Sequence, residues 1–365
     1  MIFKLRLLSL FLLFVAAFIS VAQGFSNALT YSQDFQWSPA SLVIKGENPY
    51  QVWIEGNRED KIILSQAPNY LHQLYIFFIP FGLLDFYTAK TIWAIINILI
   101  GLAVCLGLSS YFRLSRSNTY LLILIFLCST PFRNGIGNGQ QGLFALAFLI
   151  LPFLRFRGSL VLQGIGFSKY SFAPPFFIYN IFQSGLLKAT LGLILPVTGW
   201  LVFSLWTATP PFAALIQPLS VASMAVGTGT GDLMSLLSNF LDFNTLISGG
   251  IGILFATIFS FLAGRHPEHE RHLPLVCLIS LASFKHLGYD FVFMLPVLAY
   301  SLSALSLNIY LPIWIGVFWF WFGLRLMNAL ISALGMSFTH FSDLLIFFNF
   351  IILISLILLL TKSRS

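Results

Sequence analysis

The sequence predicts an all-α polytopic membrane protein, and three observations carry that prediction. The 365-residue chain is 58% hydrophobic and 8% charged, against roughly 25% charged residues in soluble domains. Forty phenylalanines and eight tryptophans are spread over its length, which a soluble globule with one apolar core does not need. Apolar stretches near the ~20 residues needed to cross the hydrocarbon layer recur from end to end.

The elements follow in order. Lys4 and Arg6 precede an apolar run that is long for a signal peptide, so a retained first helix is expected over about 6–24 with its N-terminus inside. A first outer loop, 25–70, then holds Asp34, Asn48 and Tyr50. The segment 70–88 is apolar but interrupted by Pro80 and Gly82, and reads as an interfacial or re-entrant helix on the outer face. Arg113 with Arg116, Arg155 with Arg157, Lys188, Arg265 with Arg271, and Lys362 with Arg364 can all be cytoplasmic together. That requires spans near 89–110, 119–133, 142–155, 160–168, 170–186, 189–207, 243–264, 272–285, 291–305, 308–328 and 343–361. With the first helix the total is about twelve crossings, N-in and C-in, in a single integral membrane domain covering 1–365. A second long outer loop, 208–242, opens Pro210-Pro211 and contains Gly227-Thr228-Gly229-Thr230-Gly231-Asp232. No Gly-Lys-Ser/Thr follows, so it is not a phosphate-binding P-loop.

Composition also excludes functions. The net charge of +7 is dispersed in ones and twos between apolar runs, so no basic block exists for a nucleic-acid backbone. Cys105, Cys128 and Cys277 lie inside apolar runs without a C-x-x-C and read as small core residues.

On this path one leaflet collects Asp34, Tyr70, His72, Arg133, Asn138, Gln140, Gln141, Lys169, Lys285, His286, Tyr289 and Asp290. Each has a plain alternative. Asp34 is a wet loop residue or a general base. Gly135 to Gln141 is a turn or a binding loop, and Lys169 snorkels or lines a cavity. His286 is a core histidine or a ligand, Lys285 a surface anchor or a ligand, and Tyr289-Asp290 caps a helix or contacts substrate. Their convergence favours chemistry, because charges at membrane depth line wet cavities. Lysine and arginine suit a phosphate, a carboxylate suits a hydroxyl that must lose its proton, and amides suit sugar hydroxyls.

Asp34-Phe35 followed by Gly46-Glu47-Asn48-Pro49-Tyr50 resembles the first-loop signature of glycosyltransferase family 87. Pro80-Phe81-Gly82 with Trp93 to Asn97, Gly139-Gln140 with Gly164 to Lys169, and Ser283 to Asp290 agree in order. The chain departs at Lys285-His286, where members often carry a proline soon after the serine. The resemblance implies a GT-C architecture and an inverting transfer from a polyprenyl-phosphate sugar (a hexose such as mannose, or a pentofuranose) to a lipid or glycan acceptor. The reaction would run on the extracytoplasmic face of the plasma membrane, with no cofactor or metal required. Asp34 would be the catalytic base. Lys169, Lys285, His286 and Arg133 would lie near the donor phosphate. Gln140, Gln141, Tyr289 and Asp290 would lie near the sugars, Asn48 and Tyr50 would shape the first loop, and Tyr70 and His72 would line the cavity. A transporter or flippase of a lipid-linked sugar is the alternative, but matching broken helices in two halves are not evident.

Overall fold

The protein is described by a computed structural model covering residues 2–224, 229–303, 307–335 and 342–362. The side chains of Lys4 and Arg6, the pair Gly227-Thr228 and Arg364 lie outside the described residues. Among the described residues the structure is helical, with no strand.

Helix α1 (Ile2–Thr30) runs past its expected end and delivers the chain directly to Asp34. The first loop is partly helical, folding into α2 (Trp37–Ile44) and α3 (Pro49–Ile54) before turns and coil over 55–72. Asn48 starts α3, its side chain accepting the backbone N–H groups of Tyr50 and Gln51, with Pro49 at the first helical position. The expected re-entrant helix is two short pieces, α4 (Gln73–Phe77) and α5 (Ile79–Gly82). Pro80, which has no N–H to bond back to Ile76, sits just after the break between them. Gly82 lies against α2, where a Cβ would meet Ile44 Cδ1 at 2.8 Å.

Helices α6 (Phe86–Tyr111), α7 (Arg116–Cys128) and α8 (Thr130–Gly137) follow. The last two meet at a 55° bend. There the Ser129 side chain accepts the Phe132 N–H and Pro131 sits in the first turn, which restarts the helix in a new direction. Shorter helices come next: α9 (Gly142–Leu149), α10 (Ser159–Gly166), α11 (Ala173–Ser184) and α12 (Leu186–Ala189). A 3₁₀ turn links α12 to α13 (Ile194–Trp206). The 208–242 segment holds α14 (Pro211–Met224) and α15 (Leu233–Leu241). Then come α16 (Thr245–Arg265) and α17 (His272–Ser283), and a 3₁₀ stretch, Gly288–Met294, leads into α18 (Leu295–Ser303). Helix α19 (Leu307–Phe318) passes through a π-helical turn, Trp319–Gly323, into α20 (Leu324–Ala333), and α21 (Ser342–Thr361) is last.

Six of these stretches are long and apolar enough to cross a membrane, or seven if the bent α7–α8 pair is one span. The expectation was about twelve. The helices expected at 142–155, 160–168, 170–186 and 272–285 exist with 8 to 12 residues, and that expected at 291–305 is the shorter apolar helix Gly288–Ser303, all short of the ~20 that span hydrocarbon. Every residue of α17 is buried, so its apolar character serves a protein core. Helix α1, by contrast, exposes Leu8, Phe11, Phe14 and Phe18, as a lipid-facing helix does.

The bundle has two distinct ends. At one, Tyr111 bonds the His269 carbonyl, Asn118 bonds that of Leu302, and buried Arg271 donates to the Leu360 and Lys362 carbonyls. Arg113 and Arg116 border Tyr111 and Asn118 in sequence and so belong to that end. At the other, Lys90 at the start of α6 bonds the Leu29 carbonyl at the end of α1, beside Asp34.

Candidate active site

Asp34 is fixed by the turn opposite it. Its N–H donates to the Asn138 carbonyl at 3.0 Å, and the Ser32 N–H donates to that of Gly137 at 3.1 Å. Gly139 has φ +70, and a Cβ there would stand 2.6 Å from Phe35 Cβ. This position therefore needs glycine for its backbone and for its space. The Gly139 carbonyl accepts the Trp93 indole N–H at 3.0 Å, and Trp93 stacks on Phe35 at 5.9 Å. The two residues flanking the contact, Asp34 and Gln140, are brought face to face by this arrangement. Gln140 Nε2 donates to Asp34 Oδ2 at 2.5 Å.

A second layer surrounds that contact. The Tyr70 hydroxyl donates to Gln140 Oε1 at 3.3 Å. Lys169 Nζ is paired with Asp290 Oδ1 at 2.6 Å, and stands 5.7 Å from the Tyr70 ring and 5.4 Å from the Tyr289 ring. Asp290 Oδ2 accepts the Leu287 N–H at 3.2 Å. The Leu71 N–H donates to the Ser168 carbonyl at 2.9 Å, tying the Tyr70 and Lys169 segments together. Gly142 begins α9 beside this pair, and a Cβ there would meet Asp290 Oδ1 at 2.9 Å.

Lys169, Asp290, Tyr70 and Gln140 are buried, whereas Asp34 and Tyr289 are partly open. Burial raises the Asp34 pKa above the ordinary carboxylate value. The Gln140 hydrogen bond and the Lys169 charge oppose that shift, and Asp290 adds to it. Asp34 is thus a reachable carboxylate, more basic than one in water, with a cation nearby.

Six predicted residues therefore meet: Asp34, Tyr70, Gln140, Lys169, Tyr289 and Asp290. The rest have other engagements. Asn48 Nδ2 bonds Thr209 and Gln217, and the Tyr50 hydroxyl bonds the Tyr70 carbonyl. His72 Nε2 lies 3.0 Å from the Ala214 carbonyl, and burial lowers its pKa to about 4. It is a neutral ring pinning α14, packed on Tyr50 and Phe203. Arg133 bonds Gln23 on α1. Lys285 is exposed, and His286 is buried with Nδ1 3.7 Å from Asp232 Oδ2. Gln141 Nε2 bonds the Gly139 carbonyl.

Sequence reasoning missed three contributors. Trp93, which entered the sequence reading only as part of a motif, braces the Gly139 turn. Ser168, adjacent to Lys169, has a buried hydroxyl without a hydrogen-bond partner, as has the Gln141 side-chain carbonyl. Asp232 stands 3.7 Å from His286 Nδ1, whose nearer partner is the Phe284 carbonyl at 3.2 Å. Ser168 carried a usable signal, as a hydroxyl next to the predicted cation, and Trp93 carried one as a motif residue. Among the described residues no three His, Cys, Asp or Glu side chains gather as metal ligands.

Residues 73–168 match the model of glycosyltransferase family 87. This is the family that the sequence resembles. The family 87 match contains Gln140, Gln141 and Trp93 and ends one residue before Lys169, while Asp34 and Asp290 lie on either side of it. No curated protein and no solved structure is matched. With the apolar helices, the family 87 match supports a membrane glycosyltransferase.

Proposed function

We propose that the protein transfers a sugar from a polyprenyl-phosphate donor to a lipid or glycan hydroxyl, with Asp34 as general base. The observation that carries this reading is the half-buried Asp34, held at Oδ2 by Gln140 beside the buried Lys169–Asp290 pair.

The acceptor oxygen attacks the anomeric carbon as its bond to the phosphate oxygen breaks. The proton passes to Asp34 Oδ1, and polyprenyl phosphate leaves with the bonding electrons. Attack opposite the leaving group inverts the anomeric carbon. Lys169 is ion-paired with Asp290, and its ammonium carries three N–H donors to offer a phosphate. Gln140 and Tyr289 are the polar groups we assign to the sugar hydroxyls. A cation near the leaving phosphate and a base of raised pKa are the two aids this transfer needs.

The site lies at the end of the bundle opposite Arg113, Arg116 and Arg271. Positive residues favour the cytoplasmic side, so we assign Asp34 to the extracytoplasmic face of the plasma membrane, within a GT-C-type arrangement. Proteoliposomes holding the purified protein, a polyprenyl-phosphate mannose or arabinofuranose and a lipid extract should yield a glycosylated product. Transfer from a nucleotide sugar alone would overturn the donor assignment.

A further inference from the structure

The last helices and the 208–242 segment carry no family motif, yet they reach the site. Helix α21 is an apolar span with one buried amide, Asn349. In such a helix no water is at hand, so the amide must be satisfied by protein. Its Oδ1 accepts the Trp319 indole N–H at 2.7 Å, and its Nδ2 donates to the Thr230 carbonyl at 2.5 Å.

Thr230 passes the contact on. Its hydroxyl donates to the His286 carbonyl at 3.2 Å. Two residues later Asp232, fully buried, faces His286 Nδ1 at 3.7 Å. Ser235 keeps Asp232 in place, donating its N–H at 2.7 Å and its hydroxyl at 2.9 Å. The next residue after His286, Leu287, donates its N–H to Asp290, the partner of Lys169. A second route comes from the same π-helical turn, where Trp321 donates its indole N–H to the Phe291 carbonyl at 2.8 Å. Single π-turns inside helices are frequent near functional sites.

We propose that Asn349 is a positioning residue for the Lys169–Asp290 pair. It holds the 229–232 segment, and that segment holds the His286 end of the stretch bearing Asp290. The inference rests on the donor-phosphate reading of Lys169. It also gives His286 a different place, as a clamp on the Asp290 segment.

The test uses the full-length protein in nanodiscs, with a short-chain polyprenyl phosphate as the probe. Asn349→Leu removes both amide bonds, Thr230→Val removes only the hydroxyl donor at unchanged shape, and Trp319→Phe removes the indole bond with part of the ring. We expect the first two to speed amide exchange over 284–290 about tenfold and to raise the probe Kd about five- to tenfold. Trp319→Phe should stay within twofold on both. Unchanged exchange in Thr230→Val would overturn the clamp. Faster exchange with an unchanged Kd would overturn its positioning role. If the wild-type protein does not bind the probe, the donor reading falls instead, and the exchange arm still judges the clamp.

Discussion

The Gln140 amide donates to the Asp34 carboxylate at 2.5 Å, although the two residues lie on different helix connections. The contact exists because the Asp34 N–H is bonded to the Asn138 carbonyl and Gly139 permits Phe35 to press against the turn. It joins the candidate base to the segment that matches family 87.

That contact sets the pH dependence. The Gln140 N–H favours the ionised form and lowers the Asp34 pKa, against the larger effect of burial. In Gln140→Leu the pKa rises further. A base acts only when deprotonated, so the acid limb of the rate–pH profile should move to higher pH, with the alkaline limb unmoved. Initial rates across the pH range measure this.

Lys169 and Asp290 form a buried pair at 2.6 Å. Removing one partner strands a buried charge, at a cost of about 3–5 kcal/mol. Lys169→Met should therefore lower thermal stability in detergent, and Lys169→Met/Asp290→Leu should recover most of it. Neither variant should regain donor binding. A double variant that binds donor normally would remove Lys169 from the phosphate site.

His72 is neutral in the folded protein, its pKa lowered to about 4 by burial from an ordinary 6.5. Between these values the unfolded state binds the extra proton, so this contribution to stability is complete above pH 6.5 and is lost as pH falls toward 4. Helix α14, held through the Ala214 carbonyl, should become protease-sensitive over that window. His72→Phe should remove the pH dependence of this release.

The loop joining α6 to α7 lies at the end remote from Asp34. Cysteines placed at Arg113 or Ser115, both exposed, should react with a membrane-impermeant reagent only from the cytoplasmic side. Labelling from outside would reverse the orientation of the site.

Much of this was legible in the sequence. Helix positions follow hydropathy closely, and α6, α13, α16 and α21 lie within a few residues of their expected spans. Crossing number was less legible, because an apolar run buried in protein and one facing lipid have the same composition. α17 illustrates the first and α1 the second. Asp34, Gln140, Lys169 and Asp290 stood out as polar groups in an apolar chain. Asn48, Tyr50 and His72 stood out equally but meet structural partners, since a polar side chain in a packed loop serves a helix cap or a carbonyl as readily as a substrate. Asp232 and Asn349 gave no sequence signal, because their meaning lies in the distant residues they touch.

The central claim is that Asp34 accepts the acceptor's proton. Asp34→Asn keeps shape and burial but cannot act as a base, and loss of a general base costs about 10²- to 10⁴-fold. Transfer from polyprenyl-phosphate sugar should fall by at least a hundredfold, with unchanged expression, melting temperature and donor affinity. Transfer by Asp34→Asn at the wild-type rate would contradict the account.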